Sequence, residues 1–514
     1  MNGPISSAIT LAVGVVGAGL ALLRWLRVAQ REHYLPGSAS RFASRWWAAG
    51  RVNPALAVLA VGCLGGGVFV TPVALASALV ICVGPWGLGI RGSSSPLVWT
   101  PRLRLLAGVA AVAAGVVVGA VAIAGLRPAA VGACLVAAVM PLLVDGALVA
   151  TRPVERRRLQ PYLKSARIKL AAARPTVVAI TGSYGKTSTK GYVAHLVSAS
   201  RTVVPTPRSF NNQAGLATAI NQHLTPGTEV FIAEMGTYGR GEIAELCRLV
   251  PPHISVITAI GPVHLERMGS EENIAAAKAE ILAPAPVVVL NTDHRLLADL
   301  ADRAQVDGKK VWRCSARGPA DVVVEEQGED LIAHLGGGHP AVSVRGVHAA
   351  PTNVACAIAV ALELGVPAAT VADRLPSLPV TEHRQAVTQG RNGQAIVDDT
   401  YNSNPAGARA ALRLLGQLAS SDGAKRVVVT PGMIELGHRQ GPENASFARE
   451  AAQMATHLVI VGQTNAAALL KGSRDGAAEV VRARSRTEAV AWVAANTGPG
   501  DAVLYENDLP DHFP

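Results

Sequence analysis

The sequence predicts an α-helical membrane domain followed by two α/β units, and three observations carry that expectation. Long apolar stretches fill the first 150 residues. From Thr176 onward, short β-branched runs alternate with Ala- and Leu-rich stretches of helical length, the pattern of parallel sheets with crossover helices. Between the first such run and the stretch after it lies a glycine loop, Thr181-Gly182-Ser183-Tyr184-Gly185-Lys186-Thr187-Ser188. The 514 residues exceed one ordinary domain, because a single core rarely grows past roughly 250–300 residues.

Half of the residues are apolar, 16% are charged and the mean hydropathy is +0.30. Such a chain is neither disordered nor fibrous, and part of it belongs in lipid. Five stretches have bilayer-crossing length: Ile5–Leu23, Pro54–Val70, Pro72–Ile90, Leu105–Leu126 and Pro128–Ala150. Gly65-Gly66-Gly67 and Pro72 interrupt the second and third. The first lacks a basic leader and has Arg24 and Arg27 on its far side, which argues against a cleaved signal peptide. Asp145 reads as an interfacial acid near Arg152, and Trp46, Trp47 and Trp99 as interfacial anchors.

Charge placement gives the orientation. Residues 1–150 carry +8 and residues 151–170 carry +6, which leaves −3 of the total +11 for 171–514. Arginines crowd the connections 24–51 and 91–104 and the segment 152–158, whereas only Arg127 lies between the fourth and fifth stretches. The positive-inside rule then puts the N-terminus outside and everything after residue 151 in the cytoplasm, as a multi-pass protein of the cell membrane. Basic charge placed this way points to membrane lipid rather than nucleic acid. Six cysteines without a CxxC pair make neither a disulfide framework nor a zinc site.

The expected organisation is a transmembrane domain at 1–150 with about five helices, a basic cytoplasmic linker at 151–174, an ATP-binding unit at 175–380, and a C-terminal unit at 381–514. The strands expected are Thr176–Ile180, Thr202–Pro205, Glu229–Ala233, Ile254–Ala259, Val287–Leu290, Gln394–Val397, Arg426–Thr430, His457–Val461 and Asp501–Leu504. In a strand–loop–helix setting, the loop's backbone N–H groups and the helix N-terminus receive phosphates. Lys186 would reach the β/γ oxygens and Thr187 would offer a hydroxyl to Mg²⁺.

Two residues, not four, separate Gly182 from Gly185. That loop resembles the Mur ligase superfamily, and the residues downstream extend the match in order. They are Phe210-Asn211-Asn212-Gln213-Ala214-Gly215, Glu234-Met235-Gly236, His264-Leu265-Glu266, Lys278, Asn291-Thr292-Asp293, Asp398-Asp399-Thr400-Tyr401-Asn402-Ser403-Asn404-Pro405 and Gly432-Met433-Ile434-Glu435-Leu436-Gly437. The set looks most like the branch that adds D-alanyl-D-alanine to a UDP-muramoyl tripeptide, and it covers roughly residues 175–504.

The resemblance implies a P-loop-containing central domain, a Rossmann-like C-terminal ligase domain, and ATP-driven amide formation through an acyl phosphate. It assigns Thr187, Glu234, His264 and a carbamylated Lys278 to metal, and the loop 181–188 with Asn291, Asp293, Arg384 and Asp399 to ATP. Lys186, Lys278, His264, Arg384 and Asp399 would serve catalysis. Asn211, Asn212, Tyr401, Asn402 and Asn404 would face substrate. The implied partners are ATP, Mg²⁺, a carboxylate donor and an amino-acid or peptide amine; the apolar helices add membrane lipid and leave a UDP-linked, lipid-linked or polymeric donor open.

Three departures bear on substrate. Ala349 and Thr352 replace two asparagines of the family, with Asn353 displaced by one position. The family's late Lys-Gly-Ser gives way to Tyr505-Glu506-Asn507-Asp508-Leu509-Pro510-Asp511-His512-Phe513-Pro514. Membrane helices stand where that branch has a UDP-sugar domain. The expected function is a membrane-anchored carboxylate–amine ligase of peptidoglycan-type or other cell-envelope precursors. The alternatives are a capsule-type poly-amino-acid ligase and a nucleotide-binding scaffold, while an ATP-driven transporter is disfavoured by the scarcity of intramembrane charge.

Overall fold

The computed structural model describes residues 3–92, 95–328, 330–345, 349–380, 385–401, 403–419 and 423–514. The chain divides into two compact units: Met1–Arg158 with Gly462–Ala466 and Asp508–Pro514, and Leu159–Val461 with Ala467–Asn507.

In the first unit the helices are Pro4–Arg31, Ser38–Ala48, Val52–Gly67, Thr71–Val83, Pro101–Ala122 and the opening part of Leu126–Ala173. Three of them, Pro4–Arg31, Pro101–Ala122 and Leu126–Ala173, are long and apolar enough to cross a membrane. A fourth span results only if Ser38–Ala48 and Val52–Gly67, bent by 109°, count as one. The sequence reading expects about five helices across the membrane; by length and composition, three or four are found among the described residues. Gly65-Gly66-Gly67 and Pro72 end and restart the helix around residues 68–70, because glycine loosens a helix end and proline suits a first turn. The resulting pieces of 16 and 13 residues are roughly 24 and 20 Å long, short of a ~30 Å hydrocarbon core.

Glycine sets the closeness of the packing. A Cβ on Gly14 would come within 2.9 Å of the Ala133 side chain, and one on Gly17 within 3.3 Å of Cys82 Sγ; small residues let apolar helices approach where no hydrophobic force drives them together. Outward, Val58, Val61, Val112 and Val116 are exposed.

The first helix runs eight residues past its expected end. Arg24 is consequently a buried residue of that helix and not of a loop; its Nη1 and Nη2 donate to the Ile81 and Cys82 carbonyls at 2.9 and 2.5 Å, capping the helix Thr71–Val83. Asp145 is likewise no mere neighbour of Arg152. Its carboxylate accepts from the Gly37, Ala39 and Ser40 amides at 2.9–3.1 Å and so caps the helix Ser38–Ala48 from another helix. Trp46 is buried rather than an interfacial anchor; its Nε1 donates to the His512 carbonyl at 2.8 Å.

The C-terminal segment Asp508–Pro514 lies within this unit. Phe42 meets His512 and Phe513 at ring distances of 5.2 and 4.9 Å. His512 Nε2 is 3.2 Å from Glu32 Oε1, and Arg27 donates to the Asp511 carbonyl at 3.2 Å.

The second unit holds two sheets. The first has strands β1 (Thr176–Thr181), β2 (Val203–Pro205), β3 (Val230–Glu234), β4 (Ile254–Ile257), β5 (Val287–Asn291), β6 (Lys310–Ser315), β7 (Val322–Gln327), β8 (Asp330–His334) and β9 (Val342–Val344). Their order is β2-β3-β1-β4-β5-β6-β7-β8-β9, parallel through β7 and antiparallel beyond. The second has β10 (Ala386–Gln389), β11 (Ala395–Asp399), β12 (Arg426–Thr430), β13 (His457–Val461), β14 (Glu479–Ala483) and β15 (Ala502–Glu506), in the order β10-β11-β15-β12-β13-β14. Only β10 runs antiparallel. Each of the nine expected strands overlaps an observed one, and β6 to β10 and β14 are additions.

Residues 151–173, expected as a linker, are helical. Leu159, Leu163, Ala166 and Leu170 recur at helical spacing and join the core on one face of the first sheet.

Removing the Asp145 cap with Asp145→Ala should destabilise the first unit by about 1 kcal/mol, and Asp145→Asn by less because an acceptor remains. Thermal unfolding of the full chain in detergent reads this; equal midpoints for all three proteins would contradict the cap.

Candidate active site

Strand order creates the site. From β1 the chain crosses to β2 and β3 on one side and returns to β4 on the other, and such a switch point opens a crevice at the carboxyl ends of the strands. The glycine loop leaves β1 there, with Glu234 opposite Ile180 on β3 and Ile257 opposite Thr181 on β4. Gly182 has φ +155° and Gly185 φ +83°. A Cβ at Gly182 would lie 2.0 Å from Thr258 Oγ1, and one at Gly185 2.3 Å from Asn353 Oδ1. Only glycine fits either place. Ser183 pins the loop through its N–H to the Ala259 carbonyl at 2.8 Å, and its Oγ accepts from the Gly261 amide at 3.0 Å. Tyr184 lies under Gly261, where a Cβ would be 2.6 Å from its ring.

The helix Lys186–Val197 starts at the loop, so its N-terminal amides face phosphate height. Lys186 Nζ donates to the Gly182 carbonyl at 2.8 Å. Thr187 Oγ1 donates to Glu234 Oε2 at 3.0 Å. Ser188 bonds Tyr192 one turn on. Glu234 is 1% exposed and also takes Lys190 Nζ at 3.0 Å and Asn211 Nδ2 at 3.2 Å. Lys190 was absent from the expected set; its signal is that it follows Lys186 by one helical turn, hence on the same face.

Lys278, on the helix Glu271–Ala279, is 2% exposed. Burial, with the Lys186 charge adding to it, drives its ammonium well below the usual range. His264 is also lowered by burial, against the pull of Glu435, with Lys278 and Lys186 contributing. These three basic groups are therefore electrostatic neighbours.

The C-terminal domain reaches this region through the loop after β12. Glu435 Oε2 lies 2.5 Å from His264 Nδ1, and Arg267 donates to Oε1 at 2.9 Å. Burial works to raise the Glu435 carboxyl, but His264 and Arg267 win and hold it at about 2. Arg439 pairs with Glu271 at 2.7 Å, and Tyr401 donates to Ser209 at 2.9 Å.

Other expected residues have structural work. Asn212 caps the helix Gln213–His223 through the Gly215 amide at 2.9 Å, and Asn404 caps Pro405–Leu418 through Gly407 at 3.0 Å. Asn291 Nδ2 donates to the Thr258 carbonyl at 2.9 Å, and Asp293 accepts from Ser315 Oγ at 2.5 Å and the Ala316 amide at 2.9 Å. The pair thus stitches β4, β5 and β6 at the sheet's carboxyl end. Asp399 is 6% exposed and faces Glu506 across β11 and β15. Arg384 and Asn402 lie outside the described residues. The displaced Asn353 is not lost from the site, since its side chain covers Gly185.

In the departing segment 505–514, Glu506, Asn507 and His512 are buried and the other residues partly so. Glu506 is fully buried, and the Ser403 and Thr430 hydroxyls donate to it. Burial, with Asp399 adding, pushes its carboxyl up to about 8. Asn507 Nδ2 donates to the Gly432 carbonyl at 2.7 Å.

A switch-point phosphate loop, a buried acid beside its threonine and a second α/β domain clasping the edge define a nucleotide-dependent ligase architecture. Residues 180–361 match the Mur ligase middle domain and residues 383–505 the Mur ligase, glutamate ligase domain. The chain is 34% identical over 366 residues to the UDP-N-acetylmuramoyl-tripeptide–D-alanyl-D-alanine ligase of Mycobacterium bovis, covering 65% of this chain and 71% of that one. Among solved structures, MurF ligase from Thermotoga maritima in complex with ADP superposes with a TM-score of 0.58 at 26% identity, over 68% of this chain and 80% of that one. MurF from Acinetobacter baumannii gives 0.57 at 25%, over 67% and 76%. The chain belongs to the Mur ligase family and is an ATP-dependent ligase.

Lys186→Ala should cut ADP release at least about 100-fold, the scale of removing one preorganised electrostatic contact, with the unfolding midpoint little changed. Wild-type ADP release would refute the loop's role. For Glu506, a folded value raised above the ordinary 4.5 means that its contribution is complete below about pH 4.5 and is lost as pH rises to about 8. Wild type should therefore lose stability relative to Glu506→Gln across that window, on the order of a few kcal/mol. A pH-independent difference would contradict a buried neutral carboxyl.

Proposed function

We propose that this protein is a membrane-anchored ligase that joins a carboxylate of a peptidoglycan-type precursor to an amino-acid or peptide amine in the cytoplasm. The observation that carries it is the phosphate loop with Lys186 and the Thr187–Glu234 contact at the switch point, intact and fixed by Thr258, Gly261 and Asn353.

The donor carboxylate oxygen attacks the γ-phosphorus of ATP, ADP leaves, and the amine then displaces phosphate from the acyl phosphate. The loop amides and Lys186 would hold the phosphates, while Thr187, Glu234 and, by the family resemblance, His264 are the groups that would hold Mg²⁺. No group of three or more His, Cys, Asp or Glu occurs among the described residues. Mg²⁺ shared with phosphates needs only one or two protein carboxylates besides water, so a hydroxyl and a carboxylate in contact beside the loop fit it. Bound there, Mg²⁺ would neutralise charge developing on the phosphoryl oxygens. At Lys278, burial shifts the amine well below its usual range, which favours the form nucleophilic toward CO₂, and a carbamate there would set a negative charge beside Lys186 and His264.

The membrane part of the reading rests on three apolar spans and exposed outward valines in the first unit. It also rests on arginines gathered on one side of the spans. A donor carried on lipid would meet ATP without leaving the bilayer surface. A capsule-type polymer ligase is the second reading, favoured by the replacement of the family's late Lys-Gly-Ser with Tyr505-Glu506-Asn507-Asp508, which removes a cation for an anionic acceptor.

The test is mass spectrometry of products from the full chain with ATP, Mg²⁺, candidate amines and a muramoyl-peptide donor in water-soluble and lipid-linked forms. The lipid-linked donor should give the higher kcat/KM; equal use of both would reduce the helices to an anchor. Lys278→Arg, which keeps charge but cannot carry a carbamate, should lose activity; an active variant would remove Lys278 from the site.

A further inference from the structure

Glu435 does more than strap two domains together. His264 starts the short helix Leu265–Met268 from a left-handed backbone with φ 70°. Its Nδ1 is 2.5 Å from Glu435 Oε2, and the Glu266 amide donates to the Glu435 carbonyl at 3.3 Å. The two segments belong to different domains, one following β4 and the other β12.

The carboxylate is aimed by a loop with little freedom. Glu435 and Gly437 have φ of 63° and 56°, and a Cβ on Gly437 would lie 3.1 Å from the Glu266 nitrogen. The Gly432 amide bonds Thr430 Oγ1 at 2.8 Å, the Gly432 carbonyl accepts from Asn507, and the Met433 amide bonds Asn444 at 2.8 Å. Arg267 holds the other carboxylate oxygen at 2.9 Å and stands 4.9 Å over the Tyr238 ring, which in turn meets the His264 ring at 5.2 Å.

An ionised carboxylate only accepts, so Nδ1 carries the imidazole proton and the lone pair belongs to Nε2. A carboxylate on the far nitrogen of a histidine fixes tautomer and ring orientation for coordination. We propose that Glu435 is a positioning residue that presents His264 Nε2 to the divalent cation from the opposite domain, so that packing of the C-terminal domain completes the metal site. This rests on the reading of His264 as a metal ligand. Closure and cation binding are then linked, and each favours the other by the same factor. ATP hydrolysis by an open enzyme without its acceptor would be suppressed because the site is unfinished until the domains meet.

The test measures Mn²⁺ binding by electron paramagnetic resonance to the full chain in detergent with ADP present. Glu435→Ala should weaken Mn²⁺ about 10–100-fold, the scale for removing such a partner. Glu435→Gln, which keeps an acceptor without charge, should weaken it less, and it stands in if the alanine variant folds poorly. In a His264→Ala background, Glu435→Ala should cost nothing more. Unchanged affinity in Glu435→Ala, or losses that add to those of His264→Ala, would overturn the proposal. If His264→Ala alone binds Mn²⁺ like wild type, the ligand assignment falls and the positioning role with it.

Discussion

A carboxylate with almost no exposure must be satisfied entirely by protein or ligand, because a lone buried charge costs several kcal/mol. Glu234 is such a group, and its partners organise the catalytic half of this chain. Thr187 and Lys190 come from the helix that follows the phosphate loop, and Asn211 from the segment before the next helix. The acid therefore fixes where that helix begins relative to β3. Since the loop is only the stretch from the end of β1 to that helix, Glu234 also sets its shape. Gly182 and Gly185 are required by the same closeness, with Thr258 and Asn353 occupying the space that side chains there would need.

The C-terminal domain meets this arrangement with oppositely charged groups. Glu435 is received by Arg267 and His264, and Arg439 by Glu271. The Glu435 contacts are more enclosed than the exposed Arg439 pair, and they contribute more, because exposed pairs are worth only about 0–1 kcal/mol. Polar contacts such as these can break and re-form, which suits an enzyme that must admit ATP and its other substrates in turn.

Much of this was legible in the sequence where the signal is local. β-Branched runs such as Ile254–Ile257 and Arg426–Thr430 announce buried parallel strands, and Gly-Lys-Thr between strand and helix announces a phosphate site. What stayed hidden depends on partners far along the chain. Asp145 caps a helix more than a hundred residues earlier, and Trp46 bonds His512 across most of the protein; no pattern in their neighbourhoods could show it. Lys310–Ser315 and Glu479–Ala483 were not among the expected strands; each is short and partly polar, and they pair in parallel with Val287–Asn291 and His457–Val461 respectively. The short helices Val52–Gly67 and Thr71–Val83 look like spans because hydropathy counts apolar residues and not the break at 68–70. Glu435 and His264 were each visible as part of a motif, while their pairing across the two domains was not.

The central claim is that ATP activates a carboxylate as an acyl phosphate in the site built around Glu234. Isotope transfer tests it most directly: the donor carboxylate carries ¹⁸O in both oxygens, and the full chain turns it over with ATP and amine. One ¹⁸O should appear in the phosphate released and the other should remain in the new amide carbonyl. Phosphate free of ¹⁸O, with amide formed, would contradict the account.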